Sequence, residues 1–285
     1  MKFRLHIFPV IVILALLCGC DSFEYHPYSI KLKGPRDINT RTIGQLENAG
    51  LKPPFKFAFI TDTQGSLDET AKALDIIRNR GDIDFIIHGG DMTDFGLPKE
   101  FIWGRDQLEA CGLPYLVIIG NHDCLGNGED TFNYLFGPEN FSLNVGPVHI
   151  VCLNTIALEY DYSRPVPDFN FLEEDCNAVN DLNAEFPGSI THTIVAMHSR
   201  PYDEQFNNNV AKPFNSLLEQ YPGMSRTEEG ERLRSFCING HNHRNEVSDI
   251  FGNGILYYQC ADMGKRSFFV FTITDEGYDC EAVEF

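Results

Sequence analysis

Residues 83–94 read IDFIIHGGDMTD: a short apolar run from Ile83 to His88 that stops at two glycines and then presents two carboxylates, Asp91 and Asp94. The same pattern recurs on either side. Upstream, Phe55 to Thr61 (FKFAFIT) ends in Asp62-Thr63-Gln64; downstream, Leu113 to Ile119 (LPYLVII) ends in Gly120-Asn121-His122-Asp123. Between the first two runs, Ser66 and Glu69 stand at capping-box spacing ahead of Ala71, Leu74 and Ile77, which are apolar at helical spacing. Pro98 to Ala110 reads as a second helix. Strands alternating with helices predict a parallel sheet with right-handed crossovers. In such sheets the carboxyl ends of the strands line the ligand crevice, so residues far apart in sequence converge there.

The second half extends the pattern. Val148 to Leu153 and Ile190 to Met197 read as strands and Phe171 to Leu182 as a helix; Thr227 to Ser235 reads as a helix leading into the strand Phe236-Cys237-Ile238. Ile255–Cys260, Ser267–Thr274 and Tyr278–Phe285, with Asp275-Glu276-Gly277 as a turn, are expected to form an antiparallel meander. The Ile190 strand ends in His198, and the Phe236 strand in Gly240-His241-Asn242-His243. Five strand ends therefore each offer a metal-competent side chain. Imidazole, carboxylate and amide donors suit Mn, Fe, Zn or Ni rather than Ca. Taken singly, these residues have plainer explanations as helix caps, turn glycines or exposed loop histidines. The joint pattern is what points to a site.

Gly90-Asp91-x-x-Asp94, Gly120-Asn121-His122-Asp123 and Gly240-His241-x-His243, in that order and with His198 between the second and third, resemble the calcineurin-like metallophosphoesterase family across residues 55–285. The resemblance implies an α/β fold, a four-layer α/β/β/α sandwich with a two-metal centre between its sheets. By position it assigns Asp62 and His243, with Gln64 beside them, to the first metal; Asn121, His198 and His241 to the second; and Asp91 to both. A shared carboxylate suits cations ~3.5–4 Å apart. The resemblance further implies that His122 acts as general acid at the leaving-group oxygen, that Asp94 pairs with its ring, and that a metal-activated hydroxide attacks phosphorus directly. The family's first motif is usually Asp-x-His. Gln64 departs from it, and a neutral amide is a weaker ligand than imidazole. The expected cofactors are two divalent ions, Mn, Fe or Zn, with Mn or Fe favoured.

Composition bounds the partners. The 285 residues carry 22 Lys plus Arg against 41 Asp plus Glu, a formal charge of −19, which disfavours a nucleic-acid partner held through its phosphates. A phosphate ester must be attracted locally, and Arg200, two residues after His198, is the candidate substrate ligand among the arginines. A mean hydropathy of −0.21, with no apolar run after the first twenty residues, excludes a multi-span membrane protein. Residues 1–20 join a basic start, an apolar run from Ile7 to Leu17 and the segment Cys18-Gly19-Cys20, which resembles a bacterial lipoprotein signal, with residues 1–19 as the signal peptide and Cys20 as the lipidated residue. The body is then expected outside the cytoplasm, lipid-anchored to a membrane. Residues 20–54 read as a tether containing a short helix within Ile43–Leu51, and residues 55–285 as the catalytic domain.

The cysteines at 111, 124, 152, 176, 237, 260 and 280 lie mostly in apolar strand or helix contexts and read as buried thiols without assigned bridges. His88, His149 and His192 match no motif position and read as structural. The expected activity is hydrolysis of a phosphomonoester or phosphodiester, with specificity set by residues 158–187 and 201–226. Two alternatives are a pyrophosphatase acting on a nucleotide- or lipid-linked diphosphate, and a non-catalytic metal-binding surface lipoprotein.

Overall fold

A computed structural model describes residues 32–160, 163–226 and 233–285. The signal segment, Cys20 and residues 227–232 of the expected helix at 227–235 lie outside the described residues. In chain order the strands are β1 (Phe55–Ile60), β2 (Phe85–His88), β3 (Tyr115–Val117), β4 (Phe141–Val145), β5 (Val148–Leu153), β6 (His192–Met197), β7 (Phe236–Asn239), β8 (Glu246–Ser248), β9 (Tyr257–Gln259), β10 (Ser267–Thr274) and β11 (Gly277–Glu284). The helices are α1 (Ile38–Asn48), α2 (Leu67–Arg80), α3 (Pro98–Cys111), α4 (Gly128–Leu135), α5 (Phe169–Glu185) and α6 (Ala211–Leu218).

Two sheets result, ordered β11-β10-β1-β2-β3 and β4-β5-β6-β7-β9-β8. β1, β2 and β3 run parallel, as do β5, β6, β7 and β9. Period-two alternation sorts their side chains into layers. Phe55, Phe57 and Phe59 of β1 point between the sheets, where they join Phe85, Ile87, Ile150, Cys152, Ile194, Phe236 and Phe271. Ala58 and Ile60 point the other way, onto Ala73, Leu74 and Ile77 of α2. Val151 and Leu153 of β5 face outward onto Leu172 and Cys176 of α5 and Phe214 and Leu218 of α6. This is the α/β/β/α sandwich.

Several local expectations change. β9 leaves the expected meander: it pairs parallel with β7 in the second sheet, and only β10 and β11 form the antiparallel hairpin beside β1. The helix expected near residues 43–51 is α1, which starts at Ile38. It is fastened to the body, with the Asn39 amide exchanging two 2.8 Å hydrogen bonds with the Val117 main chain, so the folded unit begins ahead of Phe55. Helix α2 forms without the anticipated capping box. The Ser66 side chain makes no cap bond, and Glu69 stands 3.6 Å from Arg266 instead. Cys111, Cys152, Cys176, Cys237 and Cys260 are buried thiols. No helix among the described residues is long and apolar enough to cross a membrane.

Candidate metal centre

Because β1, β2, β3, β6 and β7 are parallel within their sheets, their carboxyl ends deliver Asp62, Gln64, Asp91, Asn121, His198, His241 and His243 to one rim. Asp91, His198 and His241 offer ligand atoms all within 4.8 Å of one another. Asp91 Oδ2 lies 3.2 Å from His198 Nε2. Asn121 Oδ1 stands between the two imidazoles, 3.2 Å from His198 Nε2 and 3.1 Å from His241 Nδ1. On the other side, Asp62 Oδ1 is 3.2 Å from His243 Nε2, and Gln64 Nε2 donates to Asp91 Oδ2 at 3.5 Å. The donors thus form two groups that share Asp91.

Backbone conformation marks the same residues. Asp62, Asp91, His241 and His243 have φ of 51, 53, 75 and 54°, in the left-handed region that is uncommon for any residue but glycine, although Asp and His enter it more readily than most. Such strain is retained where the surroundings enforce it. Here the loops are locked together by hydrogen bonds. Asp62 N–H donates to the Gly90 carbonyl, and Thr63 N–H to the Asp91 carbonyl, both at 3.0 Å. His122 N–H donates to Asp91 Oδ1 at 2.9 Å, and His241 N–H to Asp62 Oδ2 at 3.1 Å.

The donor set fits cations. Gln64 Oε1 is buried with no hydrogen-bond partner, and an orphaned buried oxygen is costly unless something else satisfies it. Protein charge alone balances the site poorly. Burial opposes charge on His198, but the Asp91 carboxylate outweighs it and pushes the imidazole up to about 10. The bond to Asp62 raises His243. Burial, followed by the neighbouring His198, lowers His241. His198 and His243 thus take protons where the carboxylates lack other positive charge, and metal ions displace such protons.

The His122 ring is held differently from expectation. His122 Nδ1 lies 2.9 Å from the main-chain carbonyl of Asp94, so the carbonyl, rather than the Asp94 carboxylate, holds the ring. With Nδ1–H committed there, Nε2 is the nitrogen left to deliver a proton. Arg200 also departs from expectation. Its guanidinium is turned into Ser248 Oγ at 2.6 Å, Glu246 Oε1 at 3.1 Å and Asp203 Oδ1 at 3.5 Å, so it braces a loop.

Three residues buttress the site: Asp123 and Thr61, to which the sequence assigned no role, and His88, which it marked as structural. Asp123, fully buried, accepts from Gly120 N–H, Thr93 N–H and Thr93 Oγ1 at 3.1, 2.9 and 2.9 Å, tying the β2 and β3 loops together. Burial, then the Asp91 charge, pushes its carboxyl up to about 7. Thr61 Oγ1 donates to Asp62 Oδ2 at 2.6 Å. His88 accepts from Gly90 N–H at Nδ1, which places its proton on Nε2, 2.9 Å from Thr63 Oγ1; burial lowers it to about 4, keeping it neutral. The signal for Asp123 and Thr61 was a polar side chain at the end of an apolar run.

The model of the calcineurin-like phosphoesterase family matches residues 55–250. The chain belongs to that family. It is accordingly a metallophosphoesterase, a hydrolase of phosphoric esters that depends on divalent metal. A probable cyclic nucleotide phosphodiesterase of Xenorhabdus bovienii is 24% identical over 171 residues, 58% of this chain and 68% of that one. Two solved structures share the metallophosphoesterase fold. A dimetal phosphatase from Danio rerio superposes with a TM-score of 0.62 at 11% identity, over 82% of this chain and 98% of its own. A purple acid phosphatase from yellow lupin (Lupinus luteus) seeds gives 0.58 at 15% identity, over 82% and 52%.

Proposed function

We propose that this metallophosphoesterase hydrolyses phosphate esters at a pair of divalent cations, with His122 as the general acid. The observation that carries the reading is the sharing of Asp91. Its Oδ2 faces His198 and Gln64, while its Oδ1 accepts the main-chain N–H of His122. Asp62, Gln64 and His243 would hold one cation, Asn121, His198 and His241 the other, and Asp91 both. Mn, Fe or Zn bound there would supply Lewis acidity and lower the pKa of coordinated water. The chain's own residues do the rest. The Asp94 carbonyl orients the His122 ring, the Asp91 carboxylate fixes the His122 backbone, and Nε2 of His122 gives its proton to the departing oxygen. The Xenorhabdus relative's name supports a diester among the substrates.

The test is hydrolysis of para-nitrophenyl phosphate and bis-para-nitrophenyl phosphate by Mn-loaded protein and by His122→Ala. Loss of the acid should cut kcat by about 10²–10⁴-fold while metal content holds. Full activity in the variant would refute the assignment of His122.

We also propose that the body is lipid-anchored outside the cytoplasm through Cys20, supported by the basic start, apolar run and terminal cysteine of residues 1–20. Cys20→Ser should abolish labelling by a fatty-acid probe and release the protein from the membrane fraction. Unchanged labelling would exclude Cys20.

A further inference from the structure

Seven described residues other than glycine have positive φ: Asp37, Asp62, Asp91, Tyr202, His241, His243 and Arg266. Four are metal-site donors. Asp37 is the residue before α1 and Arg266 the residue after the single turn Met263–Lys265. That leaves Tyr202, at φ 71°, and a bulky aromatic is a poor occupant of the left-handed region.

The surroundings hold it there. Asn208 Oδ1 accepts Tyr202 N–H at 2.7 Å, and Asn208 Nδ2 donates to the Asp203 carbonyl at 2.9 Å. The Asp203 carboxylate accepts Arg200 N–H at 3.2 Å, while the Arg200 guanidinium is pinned by Ser248 and Glu246. This cross-braced loop follows directly on His198. It reaches the centre itself, where Glu204 Oε1 lies 3.9 Å from His241 Nε2. The Tyr202 ring rests on Phe251 at 5.6 Å yet is 54% exposed.

The loop's chemistry limits what the ring can meet. Arg200 is turned inward, and Glu204 adds a negative charge, so the loop offers an aromatic face and a carboxylate but no outward cation. That suits an uncharged organic group and disfavours a second phosphate charge. A cavity of about 600 Å³ adjoins the loop, lined in part by Leu158, Phe206 and Asn208, and its cation Arg164 is engaged by Glu139 and Glu129. On the acid side, Phe95, 64% exposed, follows the residue whose carbonyl holds His122. An exposed aromatic thus follows a donor-bearing strand end in each sheet, Phe95 after β2 and Tyr202 after β6, and a phosphodiester has two organic arms where a monoester has one.

We propose that Tyr202 is a specificity-determining residue that receives the non-leaving arm of a phosphodiester, a flat and uncharged one. The assignment rests on the phosphoesterase reading above. Three substrates with one leaving group test it: bis-para-nitrophenyl phosphate, methyl para-nitrophenyl phosphate and para-nitrophenyl phosphate, which carry an aryl, a methyl and no second arm. With Mn-loaded wild type, kcat/KM for the aryl arm should exceed that for the methyl arm by about tenfold, the scale of one aromatic contact. Tyr202→Gly and Tyr202→Asn both tolerate the left-handed backbone, so the fold should survive. Each should bring the ratio to within about threefold, mainly through KM for the aryl diester. A ratio that neither variant moves, or an equal loss on both diesters, overturns the assignment. Wild-type activity on the monoester alone overturns it while sparing the phosphoesterase reading. Inactivity of metal-loaded wild type on all three overturns both.

Discussion

Gln64 is where this centre differs most from the family pattern. Its amide nitrogen reaches Asp91 at 3.5 Å, and its oxygen is buried without a partner. An amide oxygen brings a dipole where imidazole brings a stronger σ-donor, so the cation shared by Asp62 and His243 should be the more weakly held of the two. Gln64→His should tighten it by about tenfold or more, the usual scale for improving or spoiling a ligand's surroundings. Metal content after dialysis against graded chelator measures this. Loss of both cations in the variant would mean that the position cannot accept a ring and that Gln64 is no ligand.

The loops after β1, β2 and β7 meet closely enough that one methyl group decides their spacing. Gly240 lacks a positive φ, so alanine brings no backbone penalty there; its Cβ would instead collide with Thr61 Oγ1 and Asp62 Oδ2. Gly240→Ala should displace the Asp62 carboxylate, cost about 1–3 kcal/mol of stability and lower bound metal, read by melting and metal analysis together. A variant with full metal content and unaltered melting would show that the loops yield freely. The positions of these loops were legible in the sequence because each stands at the end of an apolar run, where topology alone sends it to the rim. Direction was less legible. Arg200 is near the site, as its spacing from His198 implies, but only the fold reveals Glu246 and Ser248 drawing it away. Tyr257–Gln259 is buried throughout, so no alternation tells which sheet it joins, and the pairing with β7 could not be read. The three-residue β8 leaves too little pattern to find, and β4, joined by the two-residue turn Gly146-Pro147 to the β5 run that was legible, went unread.

At the scale of the molecule, the surplus of acids over bases leaves stability dependent on how carboxylates are neutralised. Away from the rim, Asp175 of α5 ties the outer helix layer to the second sheet. It lies 2.9 Å from His149 Nε2 on β5 and accepts from Ser142 Oγ on β4 at 2.5 Å and from Tyr221 OH at 2.8 Å. Burial raises its pKa, but the bonds and charge of His149, with the hydroxyls of Ser142 and Tyr221, outweigh burial and hold it below the ordinary carboxylate value. A carboxyl whose folded pKa is depressed contributes stability above its unfolded value, near about 4, and loses it as pH falls through the folded value. Asp175→Asn removes both the charge and the titration. At pH 7 the variant should be less stable by about 1–3 kcal/mol, a gap that denaturant melts should see constant down to about pH 4 and closing below it. A gap that widens on acidification would mean that Asp175 is protonated more readily in the folded protein than in the unfolded chain, and that burial, rather than His149, governs this side of the sandwich.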